Sequence, residues 1–205
     1  MVDIDGLNSF EIDVLREIGN IGAGNAATAL AKMLSKKVNM HVPEVRIMDF
    51  KNVPDVLGGA EQPVMGVYLN FEGDVEGSVL LVMDEASAHI LIDMMMGRPI
   101  DTNRPLNDID LSAVQELGNI LTSSYLGALS TLAKLDVRPS IPCLAIDMAG
   151  AILSVPAVEF GMTSDKVLFI ETEFIEGSDN VRVYFFLVPD VDSYDTILKA
   201  LGVIQ

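Results

Sequence analysis

Asp13-Val-Leu-Arg-Glu17-Ile-Gly-Asn20 returns 99 residues later as Ser112-Ala-Val-Gln-Glu116-Leu-Gly-Asn119, and each stretch is followed at the same distance by a proline, Pro43 and Pro142. Leu7, Asn8, Gly19 and Ile21 recur in the same register as Leu106, Asn107, Gly118 and Ile120. Repetition on this scale predicts two pseudo-equivalent halves. A chain of 205 residues is short for two independent domains. Halves of approximately 7–97 and 106–202 are therefore expected to fuse around one core, as a single domain over residues 1–205. Arg98-Pro-Ile-Asp-Thr-Asn-Arg-Pro105 is the natural linker between them.

Each half opens with a helix. Phe10, Val14, Ile18 and Ile21 fall at helical spacing. Asn8 with Glu11 forms a capping-box-like start, with Leu7 as staple; Asn107, Asp110 and Leu106 repeat it after Pro105. A second helical stretch is read at Ala26–Leu34 and at Leu126–Leu135, and Gly19, Gly22 and Gly24 either kink the first helix or let another backbone approach closely. Strand-like segments follow at His41–Met48 and Ile141–Met148. Each begins near the motif proline, which suits a strand start or an edge. Hairpins are expected from Val64–Phe71 with Gly77–Met83, and from Lys166–Phe174 with Val181–Val188 across Gly177–Asn180. Closing helices, roughly Glu85–Met96 and Asp190–Leu201, stop at Gly97 and Gly202. The order helix, strand, hairpin, helix, taken twice, predicts an α+β fold with a mostly antiparallel sheet of about six strands and exposed motif helices.

Composition excludes several classes of function. A net charge of −17 argues against nucleic acid or an anionic membrane, which are bound by clustered Lys and Arg. Cys143 is the only cysteine, so no internal disulfide forms. No apolar run reaches the roughly 18–20 residues that span a bilayer, and Met1–Ser9 has no basic run of a signal peptide. A cytoplasmic location is expected. His41 and His89 stand isolated in the sequence, and the acids form no cluster of metal-ligand character. Gly22-Ala-Gly24-Asn-Ala-Ala27 matches a dinucleotide fingerprint but follows a helix instead of a strand, and the second half has Leu121-Thr-Ser-Ser-Tyr-Leu126 there. Met94–Met96 reads as flexible packing at a helix end.

The chemistry sits in the tetrads. Residues at i, i+4 and i+7 share a helix face, so Asp13, Glu17 and Asn20 form one stripe and Ser112, Glu116 and Asn119 another. A lone Glu and Asn on such a face is ordinarily just solvated. Two copies in register with a proline favour function, since Asn has poor helix propensity and no capping duty mid-helix. A carboxylate can pair with Lys or Arg, and a neutral amide can hold a water against an electrophile without deprotonation.

The pattern Asp/Ser-x3-Glu-x2-Asn-x22-Pro resembles the signature of the CheC / CheX / FliY family of chemotaxis response-regulator phosphatases, and the likeness covers essentially the whole chain. The resemblance implies a hydrolase that dephosphorylates the phosphorylated chemotaxis response regulator CheY. It implies that Asn20 and Asn119 orient the attacking water and that Glu17 and Glu116 contact the regulator's active-site lysine. Asp13 and Ser112 are supporting positions, and Pro43 and Pro142 look structural. It also implies that Mg²⁺ is supplied by the regulator, with no cofactor in this chain, and that the receptor deamidase CheD is a second partner. Two other readings stand beside it. A non-enzymatic adaptor would regulate CheD or the response regulator by occupancy, and would tolerate replacement of the amides. A flagellar switch component is expected to carry an additional assembly domain.

Overall fold

The computed structural model describes residues 9–35, 37–159, 166–176 and 179–203. The cap formed by Leu7 and Asn8 and part of the Gly177–Asn180 turn lie outside them. Helix α1 (Ser9–Leu34) leads to strand β1 (Asn39–Asp49), a 3-10 turn at Phe50–Asn52 and the short helix α2 (Val53–Val56). The hairpin β2 (Pro63–Gly73) and β3 (Gly77–Asp84) follows, then α3 (Glu85–Met96). The second half runs α4 (Asp108–Ala133), β4 (Val137–Pro139), β5 (Cys143–Met148), α5 (Ala149–Glu159), the hairpin β6 (Lys166–Glu176) and β7 (Asp179–Pro189), and α6 (Val191–Ala200). The fold is α+β, as the repeat predicts.

The halves interlock. Strand order is β1-β6-β7-β3-β2, with β4 and β5 both paired to β2, and every pairing is antiparallel. The leading strand β1 of the first half therefore lies on the hairpin of the second, and β5 of the second lies on the hairpin of the first. The order reads alike from either edge. Closing helices repeat too: the Asp84 carboxylate accepts from the Ser87 amide at the start of α3, and the Asp190 carboxylate accepts from the Ser193 amide at the start of α6.

Period-2 alternation divides the sheet into two buried faces. Val79, Leu81 and Met83 of β3, with Val181, Val183 and Phe185 of β7, face the larger core beneath α1, α4, α3 and α6. Leu80, Val82, Phe186 and Val188 face a smaller core closed by Val53 of α2 and by Ala149, Ile152 and Leu153 of α5. This second helical layer is absent from the sequence reading. The segment Ala149–Val158 contains Gly150 and Pro156 and no polar period, so it carries no amphipathic signal.

The sheet expected at about six strands has seven among the described residues, because the short strand β4 precedes β5. Two expectations need correcting. The separate helical stretches at Ala26–Leu34 and Leu126–Leu135 are the C-terminal parts of the continuous 26-residue helices α1 and α4. His41 is also not isolated: its Nε2 lies 2.6 Å from Oε2 of Glu173. Gly19 and Gly22 of α1 act through close approach, of side chains and not of another backbone, while Gly24 meets nothing within 4 Å. Gly22 meets the ring of Tyr125 on α4, which packs on Phe185 at 4.5 Å and shares a hydrogen bond with the Thr172 hydroxyl. Burial pushes the Tyr125 phenol up to about 12, against the opposing effect of Thr172, so it stays neutral.

Because Tyr125 is held by ring packing and by Thr172, it cannot give way to a methyl at Gly22. Gly22→Ala is expected to destabilise by about 1–3 kcal/mol. Gly24→Ala, whose new methyl meets nothing within 4 Å, is expected to be neutral or stabilising by up to about 1 kcal/mol. Urea unfolding of both variants checks the contrast.

Candidate functional site: two repeated helix faces

Each motif helix buries one side and leaves the stripe outside. On α1, Leu15, Ile18 and Gly19 are buried while Asp13, Glu17 and Asn20 are exposed. On α4, Val114, Leu117 and Gly118 are buried, Ser112 and Glu116 are exposed, and Asn119 is half-buried. The glycine before each asparagine seats its helix on the sheet. A Cβ at Gly19 would lie 3.0 Å from Val45 Cγ2 and 3.5 Å from Ile170 Cγ2, and one at Gly118 would lie 2.6 Å from Val67 Cγ1. Ile170 belongs to the other half from Gly19, and Val67 to the other half from Gly118. The depth of Asn119 is thus set by the opposite hairpin, and that of Asn20 by β1 of its own half together with the opposite hairpin.

The prolines mark the same defect twice. His41 opposes Glu173 and Glu44 opposes Glu171, so Val42 and Pro43 face Thr172 alone. In the second half Pro139 opposes Phe71 and Cys143 opposes Tyr68, so Ser140, Ile141 and Pro142 face only Leu69 and Asn70. Each edge strand carries one extra residue, a β-bulge, at its motif proline. A proline fits here because an edge strand needs no inward N–H from it. The bulge also contacts the motif helix. Val42 Cγ1 lies 3.3 Å from the Cβ position of Gly19, and the Gln115 amide donates to the Pro142 carbonyl at 2.6 Å.

The stripe residues differ in how they are engaged. Asp13 Oδ1 accepts from Arg16 Nη1 at 2.5 Å, and Ser112 Oγ donates to the Asp108 carbonyl at 2.8 Å. Glu17, Asn20, Glu116 and Asn119 have no side-chain hydrogen bond or ion pair among the described residues. The four side chains assigned the chemistry are those left open. None of them lines the groove bounded by Ala27, Lys32 and Val38, or the groove bounded by Gln62, Asp84 and Thr102.

An ionic clamp at the linker escaped the sequence reading, although Asp110 was already placed in the cap. The α4 capping box forms as expected, with Asn107 Oδ1 accepting from Ile109 and Asp110 and Asp110 Oδ2 accepting from the Asn107 amide. Asp110 is fully buried, as is Asp93 at the end of α3. Arg98 bonds both carboxylates, and Arg104 reaches Asp93 Oδ1 at 2.9 Å and Asp110 Oδ2 at 2.5 Å. Burial pushes the Asp110 carboxyl up, but Arg104, the Asn107 amide and Arg98 together hold it well below the usual carboxylate range. Burial likewise raises Asp93, and the Asp101 amide with both arginines outweighs it. The clamp fixes the first turn of α4, just before Ser112. Its only sequence signal is two arginines in an acidic chain, at the junction of the halves.

Taken together, the geometry defines a protein that carries two repeated polar helix faces, each with an open Glu and Asn. Comparison with known proteins gives that class its family. The CheC-like family model matches residues 10–47 and 109–144, the two tetrads with their prolines. CheY-P phosphatase CheC of Bacillus subtilis is 36% identical over 202 residues, which is 97% of each protein. Flagellar motor switch phosphatase FliY of the same organism is 34% identical over 140 residues, 67% of this chain and 36% of that protein. The crystal structure of Thermotoga maritima FliY matches with a TM-score of 0.75, at 28% identity, over 98% of this chain and 100% of that one. The chain belongs to the CheC-like family.

The clamp makes a pH prediction. Carboxyls depressed in the folded state contribute stability that is fully present above their unfolded value near 3.8 and is lost as pH falls through the folded value. Stability is expected to fall progressively below about pH 4. Asp110→Ala is expected to cost about 3 kcal/mol at pH 7, since it leaves two part-buried arginines to share the single carboxylate of Asp93, and to flatten the acid dependence. Denaturant unfolding from pH 7 to pH 3 measures both.

Proposed function

We propose that this chain is a phosphatase of the phosphorylated response regulator CheY, acting by water placement from two sites. The observation that carries the reading is that Glu17/Asn20 and Glu116/Asn119, alone among the tetrad side chains of the helices, have no side-chain partner among the described residues. An acyl phosphate is already activated, so its hydrolysis asks mainly for a water held in line and for misaligned water to be excluded. Asn20 and Asn119 supply an amide that holds such a water without changing protonation state. Glu17 and Glu116 pair with the regulator's lysine and fix the approach of the helix. Asp13 and Ser112, engaged within their own helices, act as supports. The phosphatase names of relatives that match along the chain support this reading.

The remaining roles follow from the same picture. Mg²⁺ belongs to the regulator, where carboxylates and the phosphoryl group provide oxygen ligands; no group of three or more His, Cys, Asp or Glu suited to a metal ion occurs among the described residues. We propose CheD as a second partner and the cytoplasm as the location. No helix of the described residues is long and apolar enough to cross a membrane.

The test is the decay of phosphorylated CheY with wild type and variants. Asn20→Ala and Asn119→Ala are each expected to leave partial activity, and the double variant to lose at least about 100-fold, the scale of misplacing a reactant. Full activity in the double variant would remove the water-positioning role. A second measurement separates binding from turnover. Against a stable mimic of the phosphorylated regulator, the Asn pair of substitutions is expected to keep near-normal affinity, whereas Glu17→Ala/Glu116→Ala binds less tightly and with less salt sensitivity. If the amides prove the stronger affinity determinants, occupancy and not catalysis is their work.

A further inference from the structure

The two sites are not electrostatically alike, and the difference lies at one repeated position. Arg16 and Gln115 are equivalent in the repeat, 99 residues apart. Both fall on the motif stripe, one residue before the glutamate and one full turn before the asparagine, so each is an i,i+4 neighbour of the proposed water-holding amide. Gln115 is committed inward, with its amide on the Pro142 carbonyl at 2.6 Å. Arg16 makes no such contact with the Pro43 bulge. Its guanidinium lies along the outer face against Asp13, with both side chains more than half exposed. Exposed pairs of this kind contribute little to folding, about 0–1 kcal/mol. The Asp13 contact therefore holds Arg16 on the face at small cost to its exchange for another anion.

Arg16 is the one cation in either motif stripe, in a chain whose net charge is −17. An aspartyl phosphate presents pairs of anionic oxygens on a tetrahedral phosphorus, which a guanidinium fork can engage with two parallel hydrogen bonds. We propose that Arg16 is a specificity-determining residue of the first site: it leaves Asp13 to engage the anionic phosphoryl face of the incoming regulator beside Asn20. The second site, with Gln115 held on its bulge, has no such cation and keeps only the Glu116 pairing. This inference rests on the phosphatase reading above and deepens it. It makes the first site more sensitive to ionic strength than the second.

The experiment uses the full chain carrying Glu116→Ala and Asn119→Ala, so that turnover reports the first site and binding is dominated by it. Dephosphorylation of CheY and affinity for a beryllofluoride-activated regulator are measured across salt concentration. Adding Arg16→Gln is expected to raise KM and Kd roughly tenfold, the scale of losing one charged hydrogen bond. The value of kcat should stay within about twofold, and the fall of activity with salt should flatten. Arg16→Lys, which keeps the charge without the fork, is expected to recover part of the loss. Lys51→Gln removes one equal charge beside Phe50, on the opposite face of the sheet, where Lys51 is exposed and pairs only loosely with Asp49 at 3.3 Å. It is expected to match the parent. Equal KM and salt dependence in Arg16→Gln and Lys51→Gln would overturn the proposal, as would a change confined to kcat. If the parent and the wild-type protein both fail to accelerate phosphate loss, the phosphatase reading itself fails, and this inference with it.

Discussion

The pairing of β1 with β6 and of β5 with β2 is the constraint on which the rest of this structure depends. Each half lends its leading strand to the other's hairpin, so neither sheet edge can form without both halves. The motif helices inherit the exchange. Gly19 of the first half rests partly on Ile170 of the second, and Gly118 of the second rests on Val67 of the first. A helix that must lie this close to a strand cannot carry a side chain at the contact. The repeated Gly-Asn dipeptide is therefore one device: the glycine sets the depth of the helix, and the neighbouring asparagine emerges on the outer face.

The fourth point of the motif has a similar mechanical account. Pro43 and Pro142 sit in β-bulges on the two edge strands, where the missing N–H costs no ladder hydrogen bond. The bulges also keep the edges irregular, which discourages pairing with another chain. The contacts made from them differ. Hydrophobic packing of Val42 beneath Gly19 serves the first site, and a hydrogen bond from Gln115 to Pro142 serves the second. The buried Asp93–Arg98–Arg104–Asp110 cluster then ties the linker to the start of α4.

Much of this was legible in the residues. The 99-residue repeat predicted the paired motif helices, and apolar runs joined across turn residues predicted both hairpins. Gly97 and Gly202 take positive φ where the closing helices stop. The exchange of leading strands was not legible, because β1 alternates compatibly with either hairpin and local pattern does not choose between them. The layer formed by α2 and α5 was hidden by Pro54, Gly150 and Pro156 and by an apolar composition without helical period. At the site, spacing alone placed Glu17, Asn20, Glu116 and Asn119 on their faces. It could not reveal that Asp13 and Ser112 are engaged internally while the other four are open, since that depends on rotamers and local partners. Nor could it show that Asp110, read as a cap, is also the centre of a buried ionic cluster.

The central claim is that the open amides place a water for attack on the phosphorus of a partner's aspartyl phosphate. Hydrolysis of phosphorylated CheY by this protein in ¹⁸O-labelled water tests it most directly. The account predicts phosphate release faster than the regulator's own decay, with the label carried by the released phosphate and no phosphoryl group passing through this chain. An unchanged rate, label appearing in the regulator's aspartate carboxyl, or a phosphorylated form of this protein would contradict it.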